Sequence, residues 1–205
     1  LDDGDSLVRV RTFTADDDVL LTTNRGKSIR FPVTGVRVFV GRASTGVRGI
    51  RLAKGDRVIS MAGLRHNPAA IAEREAYFAA VGARRRLAGS DYADRAEDEA
   101  RDKDLAASLD EPAMAAMAEA AEFVLTVSED GFGKRTSAYE YRITGRGGQG
   151  IDCIDLRRDK KGVSTVVAAF PVLEADQIVM VTDTGQLIRC PVNDVRAMGR
   201  KTRGV

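Results

Sequence analysis

A glycine-arginine turn occurs three times in this chain, and its repetition limits the possible folds more than any other feature. The pattern is G-R-x-x-x-G followed by Val or Ile, and it reads "GRASTGV", "GRGGQGI" and "GRKTRGV". The three copies begin at Gly41, Gly145 and Gly199. Repeats in a fixed register are the sequence signature of proteins built from stacked or radially arranged units. The chain is therefore predicted to consist of several repeat units.

Each turn is preceded by a short apolar run that ends in a polar bend and a glycine. The runs are "VLLTTNRG", "VLTVSEDG" and "IVMVTDTG", which close at Gly26, Gly131 and Gly185. β-Branched residues followed by a glycine-containing bend are typical of a strand that enters a hairpin. In the second and third copies, 54 residues separate both the hairpin glycines and the turn glycines. The hairpin and the turn therefore belong to one repeat unit.

The first ten residues match a later stretch that closes a unit. Residues 1–10, "LDDGDSLVRV", and residues 52–61, "LAKGDRVISM", share the pattern L-x-x-G-D. We therefore expect the chain to be a piece of a longer protein that opens with the end of one unit and closes with the start of another. The predicted organisation is the end of one blade plus one complete blade in 1–64, an acidic helical insertion in 65–121, a complete blade in 122–176 and the start of a further blade in 177–205.

The density of strand signals predicts a mainly β fold. Each unit contains about four short strand patterns, the last of which follows the G-R turn. Recurring short strands with glycine-rich turns favour a radial array of four-stranded blades, and here a partial disc with an inserted α-helical segment. An open β-sandwich is the alternative. The chain has no Trp and no G-H…W-D pattern, which excludes the WD40 type of propeller.

The segment between the two complete units differs from the rest in charge. Residues 67–121 hold 12 acidic and 7 basic residues, a net charge of −5, whereas the remainder holds 18 and 25, a net charge of +7. Asn67-Pro68 and Asp110-Glu111-Pro112 are typical helix starts, and a more charged helix is predicted over 92–109. Three apolar residues fall near one face of the first helix, namely Ile71, Phe78 and Val81. The insertion is either a solvated helical excursion or a docking element, and the sequence leaves both open.

Composition argues against several classes of function. No run approaches the roughly 18 apolar residues of a membrane-spanning helix. Cys153 and Cys190 lie 37 residues apart without a C-x-x-C pairing, which indicates neither a zinc site nor a disulfide framework. His66 is the single histidine, so a multi-histidine metal site cannot be built. We predict no catalytic residue, no metal site and no cofactor in this chain.

An arginine lies four residues beyond each hairpin glycine, at Arg30, Arg135 and Arg189. The flanking positions are apolar in two of the three copies, so the strand period of two predicts that these arginines point away from the packed face. A ring of blades would carry them, with the basic residues of the G-R turns, on its outer rim. A basic track without aromatic partners suits the phosphates of duplex DNA better than single strands. The predicted DNA-binding residues are Lys27, Arg30, Arg37, Arg42, Lys134, Arg135, Arg142, Arg146, Arg189, Arg196, Arg200, Lys201 and Arg203.

Several of these stretches resemble the C-terminal domain of the DNA gyrase A subunit. They are "VLLTTNRGKSIRF", "GRASTGVRGIRLAKGDRVIS", "VLTVSEDGFGKRT" and "IVMVTDTGQLIRCPVNDVRAMGRKTRGV", and the most specific parts are "DGFGKRT" and "VRAMGR". The resemblance covers nearly everything outside residues 65–121. The family's glycine-rich box, Q-R-R-G-G-K-G, does not occur here. The stretch "TGRGGQG" at 144–150 differs from it at three of seven positions, so that role is not assigned to it.

The resemblance implies a β-pinwheel whose basic rim wraps duplex DNA, in support of ATP-dependent negative supercoiling by a bacterial type II topoisomerase. The implied partners are duplex DNA, the gyrase B subunit and the rest of the gyrase A subunit. No membrane is implied, and the implied location is the cytoplasm, at the nucleoid. The ATP and Mg²⁺ of the holoenzyme and its catalytic tyrosine would lie outside this chain, which alone would not be an enzyme. Two other functions remain open, namely the equivalent domain of the topoisomerase IV A subunit, or a propeller for protein interaction.

Overall fold

The structure, a computed structural model, describes residues 6–41, 43–87, 104–156, 158–159 and 162–205. It contains two separate units. We call residues 1–66 together with 122–205 the β-unit, and residues 67–121 the helical unit. The predicted site residue Arg42 lies outside the described residues.

The first blade of the β-unit is an antiparallel sheet built on the first predicted hairpin. Strand β1 (Asp17–Thr23) pairs with β2 (Lys27–Pro32), and the bend between them contains Gly26. The φ of Gly26 is 76°, a left-handed conformation that glycine adopts without steric strain. Strand β3 (Val58–Arg65) pairs with the other side of β1. The hairpin prediction is confirmed for this unit.

The second blade repeats this arrangement, and a third begins. Strand β4 (Phe123–Ser128) pairs with β5 (Gly133–Ser137) on one side and with β9 (Val166–Val172) on the other. Strands β10 (Gln177–Val181) and β11 (Leu187–Pro191) form the hairpin of the third unit. A one-turn 3-10 helix follows the second strand of each hairpin, at Val33–Gly35, Ala138–Glu140 and Val192–Asp194. Two short strands, β7 (Arg158–Asp159) and β8 (Gly162–Val163), pair with each other.

The outermost strand of each blade comes from the next repeat unit. Strand β6 (Ile151–Asp152) pairs with β2, which gives the order β3-β1-β2-β6. At the corresponding place in the second blade, Val205 and Gly133 exchange two backbone hydrogen bonds of 2.8 and 2.9 Å. The prediction that one unit supplies all four strands of its own blade is therefore wrong. Residues after each G-R turn leave their own sheet and pair with the preceding blade.

The hydrophobic core lies between the blades as well as within them. One cluster of buried side chains joins Leu20 and Leu64 of the first blade to Val124 of the second. Another joins Leu125 of the second blade to Ile178 of the third unit. Full burial of one such aliphatic side chain contributes about 1.5–3 kcal/mol. Each blade is therefore stabilised by its neighbours as well as by its own strands.

The helical unit contains helix α1 (Ile71–Leu87), a helical turn at residues 104–107 and helix α2 (Glu111–Glu119). Asp110 caps α2 as predicted, because its Oδ1 accepts a hydrogen bond of 2.8 Å from the backbone N–H of Ala113. Residues 92–103 of the predicted charged helix lie outside the described residues. No described helix is long and apolar enough to cross a membrane.

The buried face of α1 differs from the predicted one. Ile71 is exposed, whereas Ala76, Tyr77 and Ala79 are buried. Ile71 is the first residue of the helix, and the alanines of the middle turns allow closer packing than larger side chains would. The predicted apolar stripe is therefore wrong at its first position.

Candidate functional site

The predicted DNA-binding side chains of the described part fall into three groups. The buried group is Arg30, Lys134 and Arg135. A second group is engaged by neighbouring carbonyls or carboxylates and comprises Lys27, Arg146, Arg200 and Arg203. The exposed group is Arg37, Arg142, Arg189, Arg196 and Lys201.

Arg30 is a buried link between the first two blades. Its Nε lies 2.7 Å from Oδ2 of the fully buried Asp18, and Nη2 donates to the carbonyl of Arg65 at 2.8 Å. Its Nη1 donates to the carbonyl of Ala138, which belongs to the next unit, at 2.8 Å. The other carboxylate oxygen of Asp18 lies 2.7 Å from His66 Nδ1. The guanidinium therefore joins both sides of the blade junction and compensates a buried carboxylate.

The predicted outward orientation of Arg30 is wrong. A period of two separates a packed face from a solvated face only when one face of the sheet is covered. In β2, residues 28–31 are all buried, because the next unit covers the side that the prediction assigned to solvent.

Arg135 occupies the equivalent place in the second blade and is also buried, so its predicted orientation is wrong for the same reason. Its Nε donates to the carbonyl of Val195 at 2.7 Å, and its Nη1 lies 3.3 Å from Asn193 Oδ1. The Cζ of Arg135 lies 5.5 Å from the centre of the Phe123 ring. Arg30 and Arg135 therefore perform the same structural task one unit apart.

Lys134 is buried beside the third G-R turn and holds it by its backbone. The Nζ atom donates to the carbonyls of Gly199, Arg200 and Thr202 at 2.6–2.7 Å. Removal from water disfavours the charged form and lowers the pKa of Lys134 to about 8. The ammonium of Lys134 therefore cross-links β5 to the third G-R turn and is not available to bind a phosphate.

A buried thiol in the same region predicts a pH effect on stability. Burial raises the pKa of the Cys153 thiol, whereas an unfolded thiol ionises above about pH 8.5. The folded state then holds the extra proton, and stability is lost as the pH rises. We expect the free energy of unfolding of the wild type to fall, relative to that of Cys153→Ala, by about 1.4 kcal/mol per pH unit above about pH 8.5.

Urea titrations of both proteins across this pH range measure that difference. Lys134 contributes in the opposite direction, because its lowered pKa favours the folded state as the pH rises through about 8, and its charge interacts with the Cys153 thiolate. The difference between the two proteins therefore reports the thiol together with this interaction. A difference that stays constant with pH would contradict a protonated thiol at Cys153.

The stretch "DGFGKRT" contacts the G-R turn of the next unit through side chains of β5 and of the bend that precedes it. Arg203 is held between Asp130 and Phe132, with Nη2 2.7 Å from Asp130 Oδ2 and Cζ 3.5 Å from the ring centre. The hydrogen bond from Ser128, more than that from Arg203, lowers the pKa of Asp130 to about 2. The stretch that resembles the family most specifically therefore forms a contact between blades. Arg203 of the next unit takes part in this contact.

The arginines of the G-R turns reach back to the preceding unit. Arg146 Nε donates to the carbonyl of Gly35 at 2.9 Å, and its Nη1 donates to that of Arg48 at 3.3 Å. Arg200 donates through Nη1 to the carbonyl of Asp152, one unit before it. Both guanidiniums therefore tie successive turns together, although Arg146 remains exposed to solvent.

A column of exposed arginines lies on the segments that carry the G-R turns, which we call the outer edge. Arg142 and Arg196 each precede the residue that bridges to the preceding blade, since Ile143 pairs with Arg30 and Ala197 with Arg135. Arg37 lies at the same distance from its hairpin glycine, since 105 residues separate both Arg37 from Arg142 and Gly26 from Gly131, although it precedes its own G-R turn by four residues and Arg142 precedes its turn by three. All three are exposed, and Lys201 is exposed beside them. Adjacent residues of an extended segment point to opposite sides, so the bridges direct Arg142 and Arg196 outward.

The sequence prediction missed two exposed basic residues of the first outer-edge segment. Arg48 and Arg51 follow the first G-R turn, and the backbone N–H of Arg51 donates to the carbonyl of Gly148 at 2.8 Å. They occur in one unit only, so repetition between units does not mark them. Local charge density in "VRGIRLAK" was the available signal. The described residues hold no cluster of three or more potential metal ligands.

A family model matches the β-unit and omits the helical unit, whereas similar full-length proteins align over nearly the whole chain. The family described as DNA gyrase C-terminal domain, beta-propeller, matches residues 17–63, 122–172 and 176–205, more than half of the chain. The DNA gyrase A subunit of Granulibacter bethesdensis is 46% identical over 212 residues, that of Rickettsia conorii 44% over 205, and that of Escherichia coli 30% over 203. These alignments cover 99–100% of this chain but only 17–22% of the relatives. The chain thus spans about a fifth of their length.

Solved structures with the same fold include domains of two related enzymes. The C-terminal domain of DNA topoisomerase IV has a TM-score of 0.59 at 17% identity and covers 93% of this chain and 42% of its own. The DNA gyrase A C-terminal domain has a TM-score of 0.58 at 22% identity and covers 93% of this chain and 45% of its own. The predicted fold class, a mainly β array of propeller-like blades, is confirmed.

Proposed function

Because this chain belongs to the DNA gyrase C-terminal domain family, we propose that its β-unit binds duplex DNA along the outer edge. The contacts are made by Arg37, Arg142 and Arg196, with Lys201 beside them. The observation that carries the proposal is their shared register and exposure in successive units. Arg30, Lys134 and Arg135 are withdrawn from the interface because they are buried.

A repeated basic side chain suits a repeated phosphate. DNA carries one negative charge per about 1.7 Å of helix axis, and each neutralised phosphate releases condensed counterions. A guanidinium can bind a phosphate through two parallel hydrogen bonds. Contacts of this kind position the duplex without reading its bases, so binding has little sequence preference. DNA that follows the column from unit to unit curves with the array of blades.

Within a whole gyrase protein, this curvature wraps DNA and presents a segment for strand passage. The relatives that this chain matches are A subunits of DNA gyrase, and they are about five times longer. We propose that the supercoiling reaction, its ATP and Mg²⁺, the catalytic tyrosine and the partner gyrase B subunit belong to the rest of the enzyme. The proposed location is the bacterial cytoplasm, at the nucleoid.

The equivalent domain of topoisomerase IV is the second candidate, because its structure fits this chain as well as that of gyrase A. Relatives that are A subunits of DNA gyrase, at up to 46% identity over the whole chain, favour gyrase. A supercoiling assay on the full-length protein separates the two. Negative supercoiling that is lost with the outer-edge arginines supports gyrase, whereas relaxation without supercoiling supports the topoisomerase IV function.

The exposed arginines of the outer edge should determine how strongly the affinity for duplex DNA depends on salt. Replacing Arg37, Arg142 and Arg196 together by Gln is expected to make the slope of log K against log salt shallower by about 2.7, at about 0.9 per phosphate contact. A titration on DNA of mixed sequence at several salt concentrations measures this slope.

The matched control removes the same charge from exposed positions outside the column. Arg9, Lys54 and Arg57 are exposed, and their replacement by Gln is expected to leave the slope within about 0.9 of the wild type. Equal losses in both triple variants would show that net charge alone drives binding. A wild-type slope near zero would refute the proposed interface, and binding to protein without DNA affinity would favour an interaction module.

A further inference from the structure

Both blade junctions bring two successive G-R turns together through the same backbone contact. At the first junction, where the second unit pairs with β2, the backbone N–H of Arg51 donates to the carbonyl of Gly148 at 2.8 Å. At the second junction, where the third unit pairs with β5, the backbone N–H of Asp155 donates to the carbonyl of Thr202 at 3.0 Å. Arg51 and Asp155 therefore occupy equivalent positions, one unit apart.

A second pair of equivalent residues lies three positions earlier in the chain. Arg146 donates through Nη1 to the carbonyl of Arg48 at the first junction, and Arg200 donates through Nη1 to the carbonyl of Asp152 at the second. The two members are 104 residues apart in this pair, as in the previous one. The backbone contacts are thus the same at both junctions, whereas the charges of the side chains are opposite.

The hairpin bends show the same reversal of charge. The residue before the bend glycine is Arg25 in the first unit and Asp130 in the second, 105 residues apart like the glycines that follow them. Asp130 already binds the cation of Arg203. Three repeat positions therefore carry arginine in the first unit and aspartate in the second. Because the first unit makes the same backbone contacts with arginine, the fold does not require carboxylates there.

The carboxylates of the second unit lie among basic residues of the outer edge. Asp152 Oδ1 lies 2.6 Å from Lys27 Nζ, so it neutralises one of the predicted DNA-binding cations. Asp152 and Asp155 line one cavity together with Arg25 and Lys201. Since Lys201 lies in the proposed DNA interface, the two aspartates stand beside the path of the duplex.

Carboxylates at this place oppose the binding of a phosphate. Surface charges act on each other over roughly one Debye length, about 8 Å at physiological salt. A phosphate at Lys201 is attracted by the ammonium and repelled by the carboxylates that line the same cavity. Like charges that face each other cost affinity, so the second junction attracts DNA less than its arginines and lysines alone would.

We propose that the second junction holds duplex DNA more weakly than the first, because Asp152 and Asp155 repel phosphates where Arg48 and Arg51 attract them. This inference rests on the proposed function and gives it a direction along the chain. Arg48 and Arg51 join the DNA contacts of the first junction. The two aspartates determine where the bound duplex separates first from the outer edge.

Giving the second junction the arginines of the first tests the proposal on the full chain. We expect Asp152→Arg with Asp155→Arg to steepen the slope of log K against log salt by about 1.8, at about 0.9 per added phosphate contact. The reciprocal variant, Arg48→Asp with Arg51→Asp, is expected to make the slope shallower by about 1.8. Titrations on duplex DNA of mixed sequence at several salt concentrations measure both slopes.

A milder pair of substitutions separates the loss of repulsion from the gain of a contact. Asp152→Asn with Asp155→Asn keeps the size of both side chains and adds no cation. It is expected to tighten DNA binding by about threefold at low salt, and the gain should vanish near 1 M salt, where the Debye length is about 3 Å. Circular dichroism shows whether each variant is folded, and if the arginine pair unfolds, the asparagine pair decides.

The matched control neutralises two exposed acids elsewhere in the β-unit. Asp16 immediately precedes β1 and Glu174 follows β9, so both lie at the ends of their blades opposite to the hairpin bends. Asp16→Asn with Glu174→Gln makes the same change in net charge as the asparagine pair. We expect it to change the affinity by less than about 1.5-fold.

Equal tightening in the control and in the asparagine pair would overturn the inference, because net charge alone would then explain the gain. An unchanged slope in the folded arginine pair would overturn it as well. Both outcomes leave the proposed interface intact, since that interface is tested by Arg37, Arg142 and Arg196. A wild-type slope near zero would instead refute the interface, and this inference with it.

Discussion

Replacing Arg30 by alanine is expected to lower the free energy of unfolding by about 3–5 kcal/mol, the usual effect of removing one partner of a buried ion pair. The substitution leaves the carboxylate of Asp18 buried without its main countercharge, and it removes the donors to the carbonyls of Arg65 and Ala138. Because Ala138 belongs to the next unit, the loss weakens the junction as well as the blade. Urea unfolding, followed by circular dichroism, measures the change.

The chain provides its own control at the same repeat position. Arg189→Ala removes an exposed arginine from β11 and is expected to change stability by no more than about 0.5 kcal/mol. If Arg30→Ala fails to fold, the variant Arg30→Lys retains the charge and loses the forked geometry, and its stability gives the comparison. An Arg30 variant as stable as Arg189→Ala would show that the buried pair contributes little.

Lys134→Ala is the second substitution with a large expected effect, a loss of about 3 kcal/mol or more. Three carbonyl acceptors of the third G-R turn lose their donor, and an unsatisfied buried polar group costs about 1–3 kcal/mol. The deleted side chain also leaves a cavity in a buried site. Thermal or urea unfolding of the variant measures the loss.

The first blade suggests how this loss can be recovered. Ile29 occupies the position of Lys134 there, and its Cδ1 lies 3.5 Å from where a Cβ on Gly148 would be. The residue equivalent to Gly148 in the third unit is Thr202, whose hydroxyl also faces Lys134 Nζ at 3.3 Å. The double variant Lys134→Ile with Thr202→Gly is therefore expected to be more stable than Lys134→Ile alone. Additive effects of the two substitutions would contradict this coupling.

Hairpins and their register were predictable from the sequence because local chemistry determines them. Gly26, Gly131 and Gly185 close bends in which φ is positive, and the spacing of 54 residues between the last two recurs in the strand pairing. The exchange of the fourth strand was not predictable in this way. Strand β6 has only two residues, too few to show a period, and its partner β2 lies far away in the sequence.

The candidate site was predicted in part for the same reason. Repetition selected the arginines as a set, but an arginine that forms an interblade link recurs as regularly as one that contacts a ligand. Arg30 and Arg142 both recur in register, and only burial separates their roles. The burial of Arg30 depends on a segment of the next unit, which the period of its own strand could not reveal. Helix start signals, by contrast, were local, and Asp110 caps α2 as expected.

The exchanged strand also explains why a whole helical unit can be inserted into the first repeat at small thermodynamic cost. Closing the first junction brings together Ser28 and Ile151, which are 123 residues apart, whereas Gly133 and Val205 of the second are 72 residues apart. Loop-closure entropy grows only with the logarithm of length, so the longer connection costs about 0.5 kcal/mol more. The ends of the insertion are also held together, since the backbone N–H of Arg65 donates to Glu122 Oε2 at 2.8 Å. This position can therefore accept any folded module with adjacent termini, and a fluorescent or affinity domain exchanged for residues 67–121 should leave both blade junctions intact.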